Sequence, residues 1–252
     1  FVIEVVYTTD IPETKTIAYE ELKDEKVLMI DMGLNNLATA TTNAGDKPFI
    51  VNGRILKSFN QYYNKKKAEL MSFVGDGGTS NRIKRLTLKR NNLITNYLHQ
   101  TSRFIIDYCK EHGVKCIVIG QNDDWKRDIN IGKVNNQKFV SIPHSKLVDM
   151  LKYKAEDAGI MFVVTEEGYT SKCDHLAFEE MKHQESYLGK RVHRGLFRSS
   201  TGRYLNADIN GCIGIGRKVI GNAVVTSILQ LLNRGFALNP VRINPLANVP
   251  YI

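Results

Sequence analysis

Long apolar runs are missing from this sequence. No stretch approaches the roughly 20 residues that a membrane-spanning helix needs, so an integral helical membrane protein is excluded. Cysteine is sparse: Cys109, Cys116, Cys173 and Cys212 make 4 in 252 residues. None stands in a CxxC pair, which excludes a disulfide framework and fits a reducing, cytosolic compartment. Proline is limited to 6 residues, and hydrophobic residues make up 42%. That balance excludes a collagen-like or disordered chain and implies an ordinary globular core. No signal peptide is readable. The chain opens with Phe1, and residues 1–7 (FVIEVVY) read as a strand already under way. The expectation is therefore the C-terminal part of a longer protein, with a region preceding Phe1.

Negative charge is also in deficit, 26 Asp+Glu against 35 Lys+Arg, a net +9. The excess is not uniform. Residues 1–53 carry net −5, residues 54–110 net +9, residues 111–171 net −1 and residues 172–252 net +6. Two basic blocks thus alternate with acidic or near-neutral ones. Basic residues grouped on one element are the footprint of polyanion binding; a solvated helix face is the plainer alternative.

Hydrophobic periodicity supplies the elements. Residues 8–25 read as a polar linker. Strands are expected at 27–30 (VLMI), 37–42 and 48–51, as a meander. Helical spacing follows at 59–73 and again from Ile83 to Tyr108, with a glycine-rich turn at 75–78 between them. This makes a basic helical hairpin. A buried strand at 115–120 (KCIVIG) leads into a polar loop over 121–137. A helix from Pro143 and His144 to Ala158 is closed by Gly159, and a strand follows at 161–164 (MFVV). Residues 171–203 have no clear period and read as an inserted excursion. Asp208 heads a helix to Ile220, another spans 224–232, and the tail beyond Gly235 reads as irregular.

Three acidic points fall at strand ends or a helix start: Asp31, Glu166 with Glu167, and Asp208. In an α/β sheet such positions share one rim. Converging carboxylates repel unless a cation neutralises them, and Mg²⁺ takes oxygen ligands while leaving positions open for phosphate. Paired divalent ions of this kind hydrolyse phosphodiesters. Each acid also has a plainer reading: Asp31 as a turn residue, Asp208 as an N-cap, the glutamates as surface acids.

The segments IDMGLNN (30–36), YTSKC (169–173) and RGLFRSSTGRYLNADING (194–211), together with the basic hairpin, resemble the TnpB family. These are insertion-sequence-encoded, RNA-guided DNA nucleases related to type V CRISPR effectors. The resemblance runs from about Val27 to Ile220. It implies an α/β, RNase H-like (RuvC) mixed sheet with an inserted helical hairpin and a zinc-ribbon-like insertion. It also implies catalysis with Mg²⁺ or Mn²⁺, a guide RNA from the element's end, target DNA, and a cytoplasmic, nucleoid-associated location without a membrane. The expected division is 1–26 (end of an upstream β domain and linker), 27–171 (core, with the hairpin at 54–112), 172–203 (insertion), 204–234 (core completed) and 235–252 (irregular tail). Oligomeric state is left open.

Two departures from the family pattern matter. A catalytic glutamate usually follows the fourth strand, and Gly120 stands there instead. Glu166 and Glu167 are the first candidates to replace it, Asp123 and Asp124 the second. The expected catalytic set is therefore Asp31, Glu166, Glu167 and Asp208, with Asp31, Glu167 and Asp208 holding metal. The family's paired CxxC motifs are absent as well. Cys173 remains, with His175, His183 and His193 at poor spacing, so zinc is not expected and the ribbon is read as degenerate. Lys65, Lys66, Lys67, Arg82, Lys84, Arg85, Lys89 and Arg90 are expected to line a heteroduplex channel. Lys190, Arg191, Arg194 and Arg198 are expected to guide a single strand, with Phe197 or Tyr204 stacking on bases or serving as local core. Tyr169, Thr170 and Ser171 would position a phosphate, orient the displaced glutamate, or cap the strand. Gly120 keeps a nuclease-dead RNA-guided repressor open as an alternative, and a guide-independent nuclease or transposase of the same fold is a third.

Overall fold

The computed structural model describes residues 21–75, 78–121, 142–235 and 238–246. The expected strand at 1–7, and Asp123, Asp124 and Trp125, lie outside the described residues. In chain order, β1 (Val27–Met32), β2 (Asn36–Thr42) and β3 (Phe49–Asn52) precede the hairpin helices α1 (Arg54–Met71) and α2 (Asn81–Glu111). Next come β4 (Cys116–Gly120), α3 (His144–Asp157) and β5 (Met161–Thr165). The insertion supplies β6 (Lys190–His193), β7 (Leu196–Arg198) and β8 (Tyr204–Asn206); α4 (Ala207–Ile220), α5 (Ala223–Asn233) and β9 (Val241–Ile243) complete the chain.

One sheet runs β5-β4-β1-β2-β3-β9. The first three strands form the expected antiparallel meander, while β4 and β5 lie parallel to β1 beyond it. Alternation sorts the side chains onto two faces. Leu28 and Ile30 of β1, with Ile117 and Ile119 of β4, pack under α2 and α3 through Tyr97, Leu98, Ile105, Leu147 and Leu151. Val27 and Met29, with Cys116 and Val118, pack against α4 and α5 through Ile209, Cys212, Ile213, Val224 and Ile228. Asp31 and Gly120 continue this second set, so both project toward α4. Burying each such aliphatic side chain contributes roughly 1.5–3 kcal/mol. The two cores therefore fix the strand ends firmly.

The helices end where the sequence places a left-handed residue. Gly113 and Gly159 have φ of 66° and 67°. Each lets the next residue's N–H bond back into the helix, Val114 to Cys109 O at 2.9 Å and Ile160 to Ala155 O at 2.8 Å. Helix α1 starts at Arg54, five residues before the expected start, because Gly53 turns the chain directly out of β3.

Two segments differ from expectation. The tail, expected to be irregular, contributes β9, whose Val241–Ile243 pairs in parallel with Phe49–Val51 at the sheet edge. Three residues are too few for alternation to register as a strand. The excursion over 171–203 contains β6 and β7, and β8 extends it to Asn206 as a small antiparallel sheet. All four residues of β6 are exposed, so no hydrophobic period announces it.

The insertion is tied by hydrogen bonds. Asp174, fully buried, accepts from Ser199 Oγ (2.9 Å), Ser200 N (2.6 Å) and Ser200 Oγ (2.9 Å). Buried Glu179 accepts from Asp174 N (2.6 Å) and Leu188 N (2.9 Å). His175, also fully buried, sits between Arg217 Nη1 (2.9 Å) and Thr170 O (2.6 Å). Because the guanidinium can only donate, His175 Nδ1 accepts and its Nε2–H donates. With both ring nitrogens spent, and Cys173 Sγ directed at Glu180 O (3.5 Å), these donors do not fit zinc. Among the described residues no group of three or more His, Cys, Asp or Glu side chains is gathered to hold a metal.

Burial, with the Arg217 charge adding, pushes the His175 pKa down to about 4, against the Thr170 and Asp174 contributions. A lowered folded-state pKa means the unfolded chain takes the proton first. Stability is then full above the unfolded value near 6.5 and is lost as pH falls toward 4. The expected loss is on the order of 3 kcal/mol across that window. Denaturant melts at pH 7 and pH 4.5 should show it, and His175→Gln should flatten the part of the pH dependence that His175 supplies.

Candidate active site

Strand register brings the acids together. Ile30 pairs with Ile119, and Gly120 with Thr165. Asp31, Gly120 and Thr165 therefore form one row across the rim. Strands two apart lie roughly 10 Å apart, so a side chain from beyond β5 must cross β4 to approach Asp31. Gly120 opens that path. A Cβ there would stand 2.5 Å from Glu167 Cγ, 2.7 Å from Glu167 Oε1 and 2.7 Å from Ile215 Cδ1. The volume a residue-120 side chain would fill is occupied by the Glu167 side chain.

Asp208 arrives from the helix side. Asn206 is the N-cap of α4, its Oδ1 accepting from Asp208 N (2.9 Å) and Ile209 N (3.3 Å). Asp208 is thus relieved of capping, correcting the plainer reading of it. Its Oδ2 accepts from Asn36 Nδ2 at 2.6 Å, and Arg191 Nη2 stands 3.7 Å from its Oδ1. On the other side of Asn36, Arg242 of β9 donates to Oδ1 at 3.2 Å. The α4 backbone comes close to Asp31 because residue 211 is glycine; a Cβ there would meet Asp31 Oδ2 at 2.7 Å. His144 Nε2 lies 3.1 Å from Gly33 O and pins the turn after Asp31 to α3.

The result is a cleft of about 260 Å³ whose lining includes Asp31, Asn36, Thr39, Asp208, Arg191 and Arg194. Burial drives the Asp31 carboxyl well above the usual carboxylate range, Glu167 and then Asp208 push it further, and Arg191 opposes them. These three carboxylates share one electrostatic neighbourhood without closing into a cage. Their oxygen donors have the hardness that a divalent ion such as Mg²⁺ prefers, but among the described residues no three such side chains are gathered to hold one. They do not fit a soft metal.

Glu166 is not brought to this neighbourhood. Its side chain is 75% exposed and pairs with Lys218 Nζ at 3.6 Å. Thr170 and Tyr169 belong to the turn that follows Glu167: Thr170 is buried with Oγ1 donating to Glu167 O at 2.9 Å, and Tyr169 has φ 65°. Phe197 is buried and serves as local core, whereas Tyr204 is exposed beneath Arg198, 5.9 Å from ring centroid to guanidinium carbon. Lys190, Arg191, Arg194 and Arg198 are exposed on or beside β6 and β7. On the hairpin, Lys65, Arg82, Lys84, Arg85 and Lys89 are exposed. The others have local roles as well: Lys66 pairs with Glu69 (2.8 Å), Lys67 stands over the Tyr63 ring, and Arg90 holds Asn60 Oδ1 (2.8 Å) while covering Tyr63. Asn36, Asn206, His144 and Arg217 are not singled out by sequence reasoning. The one signal available is glycine at 211, 214 and 216 inside a helix, each costing about 1 kcal/mol relative to alanine and therefore marking close approach.

Known proteins resemble this chain in sequence and in fold. The OrfB_IS605 family model ("Probable transposase") matches residues 6–126, and the "Cas12f1-like, TNB domain" model matches residues 144–215. A "TnpB-like protein ORF457" of Acidianus two-tailed virus is 25% identical over 249 residues, covering 94% of this chain and 50% of that protein. A Cas12f1 structure solved as a Cas12f1-sgRNA-target DNA complex matches with TM-score 0.58 at 17% identity, over 75% of this chain and 49% of that one. A CRISPR-Cas12f ternary complex matches at TM-score 0.54 and 15% identity, over 75% and 38%. The fold is thus the RuvC-type mixed α/β fold, and the chain spans about half the length of the curated relative it matches. Among the described residues no helix is long and apolar enough to cross a membrane.

Because Glu167 and a side chain at 120 compete for one space, Gly120→Ala should destabilise the fold by about 1–3 kcal/mol. Combining it with Glu167→Ala should recover part of that loss, a coupling of about 1 kcal/mol in a double-mutant cycle read by urea unfolding.

Proposed function

We infer that this chain, a member of the TnpB family, is an RNA-guided DNA endonuclease of transposon origin that cuts at a RuvC-type carboxylate site with a relocated glutamate. The observation that carries this reading is the space at Gly120, which the Glu167 side chain fills from a position where its charge bears on Asp31. A site that had merely decayed would not be expected to have a second carboxylate in the position vacated by the first.

In this reading Asp31, Glu167 and Asp208 hold Mg²⁺ or Mn²⁺, which when bound acidifies a water and neutralises charge building on the phosphate. The protein's own groups do the rest. Asn36 Nδ2 fixes the Asp208 carboxylate at 2.6 Å. Arg191 and Arg194, on the cleft wall, hold the phosphodiester against the acids and offset its charge. Arg198 and Tyr204 give the incoming strand a cation and an exposed ring. The exposed hairpin cations grip the guide–target heteroduplex by its backbone, and pairing with the guide supplies sequence. The work takes place in the cytoplasm at the nucleoid.

The decisive assay uses the protein with its co-purifying RNA, a matching DNA duplex and Mg²⁺. Asp31→Ala, Asp208→Ala and Glu167→Gln should each lower the cleavage rate by about 10³-fold or more with target binding retained. Glu166→Gln should stay within about threefold. Cleavage that survives Glu167→Gln would overturn the relocation. Target binding without cleavage by the unaltered protein would make it an RNA-guided repressor, and cutting without RNA a guide-independent nuclease.

The hairpin can be tested separately. Replacing Lys84, Arg85 and Lys89 by Gln should weaken target binding about equally for all sequences. It should also flatten the dependence of log K on log salt by roughly one for each phosphate no longer neutralised, measured by filter binding over a salt series.

A further inference from the structure

We propose that His175, locked by Arg217, is a positioning residue for the Glu167 carboxylate, acting through Thr170. The inference rests on the reading of Glu167 as a metal ligand and extends it to the groups that aim that ligand.

The path is continuous and buried. Glu167 stands two residues beyond β5, on a turn outside the sheet ladder. That turn is closed by Thr170, whose N–H and Oγ1–H both donate to Glu167 O, at 3.2 and 2.9 Å. Thr170 is 2% exposed. Its own carbonyl accepts the Nε2–H of His175 at 2.6 Å. Behind the imidazole, Arg217 Nη1 donates to Nδ1 at 2.9 Å and so dictates which nitrogen carries the proton. Arg217 belongs to α4, the helix whose first turn carries Asp208. One rigid element thereby sets two of the three carboxylates, Asp208 directly and Glu167 through the Arg217 and His175 side chains and the turn at Thr170.

Arg217 is committed to this task. Besides His175 it donates to Glu179 O (2.8 Å), Phe178 O (3.4 Å) and, from Nε and Nη2, to Asn222 Oδ1 (3.1 and 2.9 Å). That accounts for all five N–H groups of a guanidinium, leaving none for a phosphate. The backbone is cut to admit the ring: a Cβ on Gly214 would collide with His175 Nε2 and stand 2.9 Å from Thr170 Cβ. The left-handed Tyr169, φ 65°, marks the same turn as one held against its local preference. An outer partner that orients a metal-binding group typically alters metal affinity or activity by about 10–100-fold when removed.

The test reads Mn²⁺ binding by calorimetry on the protein–RNA complex, alongside thermal melts and target-duplex affinity. His175→Leu should weaken Mn²⁺ binding by about 10–100-fold with target affinity within about threefold. His175→Gln, whose amide can donate to Thr170 and accept from Arg217, should recover to within about threefold of the unaltered protein. In a Glu167→Gln background, His175→Leu should add no further loss. Unchanged Mn²⁺ binding in His175→Leu, a Gln variant as weak as the Leu variant, or an additive loss in the double variant would each overturn the inference. If His175→Leu melts below the assay temperature, Thr170→Val removes the Oγ1–H bond to Glu167 O and leaves that end of the path on the Thr170 N–H alone. The same weakening is then expected, and unchanged binding overturns the inference. Glu167→Gln alone leaving Mn²⁺ affinity intact would instead sink the parent reading, a result distinguishable from all of these.

Discussion

Like charges at the rim of a sheet set the terms for this molecule. Asp31, Glu167 and Asp208 reach one neighbourhood from β1, from beyond β5 and from the start of α4. Burial and mutual repulsion drive the Asp31 carboxyl well above its ordinary range. Such an arrangement is a cost to folding unless something holds it. Here two hydrophobic cores on opposite sheet faces do so by fixing the strand ends and α4. Glycines at 120, 211 and 214 then remove the side chains that would block the approach of helix, turn and strand. Helix α4 carries Gly211, Gly214 and Gly216 against its own propensity, and the packing that they allow supplies the compensation.

The insertion solves a different problem. A short, mostly exposed sheet cannot bury enough apolar surface to order itself. Metal ribbons answer this with thiolate ligands; here buried Asp174, Glu179, His175 and Arg217 do the tying, each with several partners. A satisfied buried polar network of this kind specifies one arrangement strongly, since a broken member leaves an unpaired charge or donor in low dielectric. It also sets Arg191 and Arg194 over the acid cleft. Basic wall and acidic floor are then parts of one framework.

Much of this is legible in the sequence. The strands that carry Asp31 and MFVV, the basic hairpin and α4 all show there, because buried parallel strands and amphipathic helices carry strong periodic signals; the end of β1 does not, since Asp31, expected just past the strand, lies inside it and pairs with Thr39. The choice between Glu166 and Glu167 is not legible. Both follow the same strand, and which one turns inward depends on a turn whose geometry is fixed by Thr170 and His175, from a segment with no period. Gly120 reads in sequence as a missing ligand, since one sequence shows which side chain is absent but not which neighbour fills the gap. Asn36, Asn206 and Arg217 stay hidden because their roles exist only in the folded chain, across as many as 172 residues for Asn36 with Asp208. The edge strand β9 escapes detection because three residues between prolines leave no pattern.

The space at Gly120 has a consequence for how such sites can vary. Two glutamates, one at position 120 and one at 167, cannot both point to Asp31, because the Cβ of the first would lie 2.5 Å from the Cγ of the second. A carboxylate can come from β4 or from beyond β5, never from both with this backbone. A move from one source to the other is therefore not a gradual drift of one residue. It needs a glycine, or a residue as small, on β4 at the time an inward glutamate appears after β5. It also needs a support for the new turn, which lies outside the ladder. In this chain the buried line from Arg217 through His175 to Thr170 meets that second requirement, so the proposed catalytic glutamate and the hydrogen-bonded knot of the insertion form one coupled solution rather than two separate oddities.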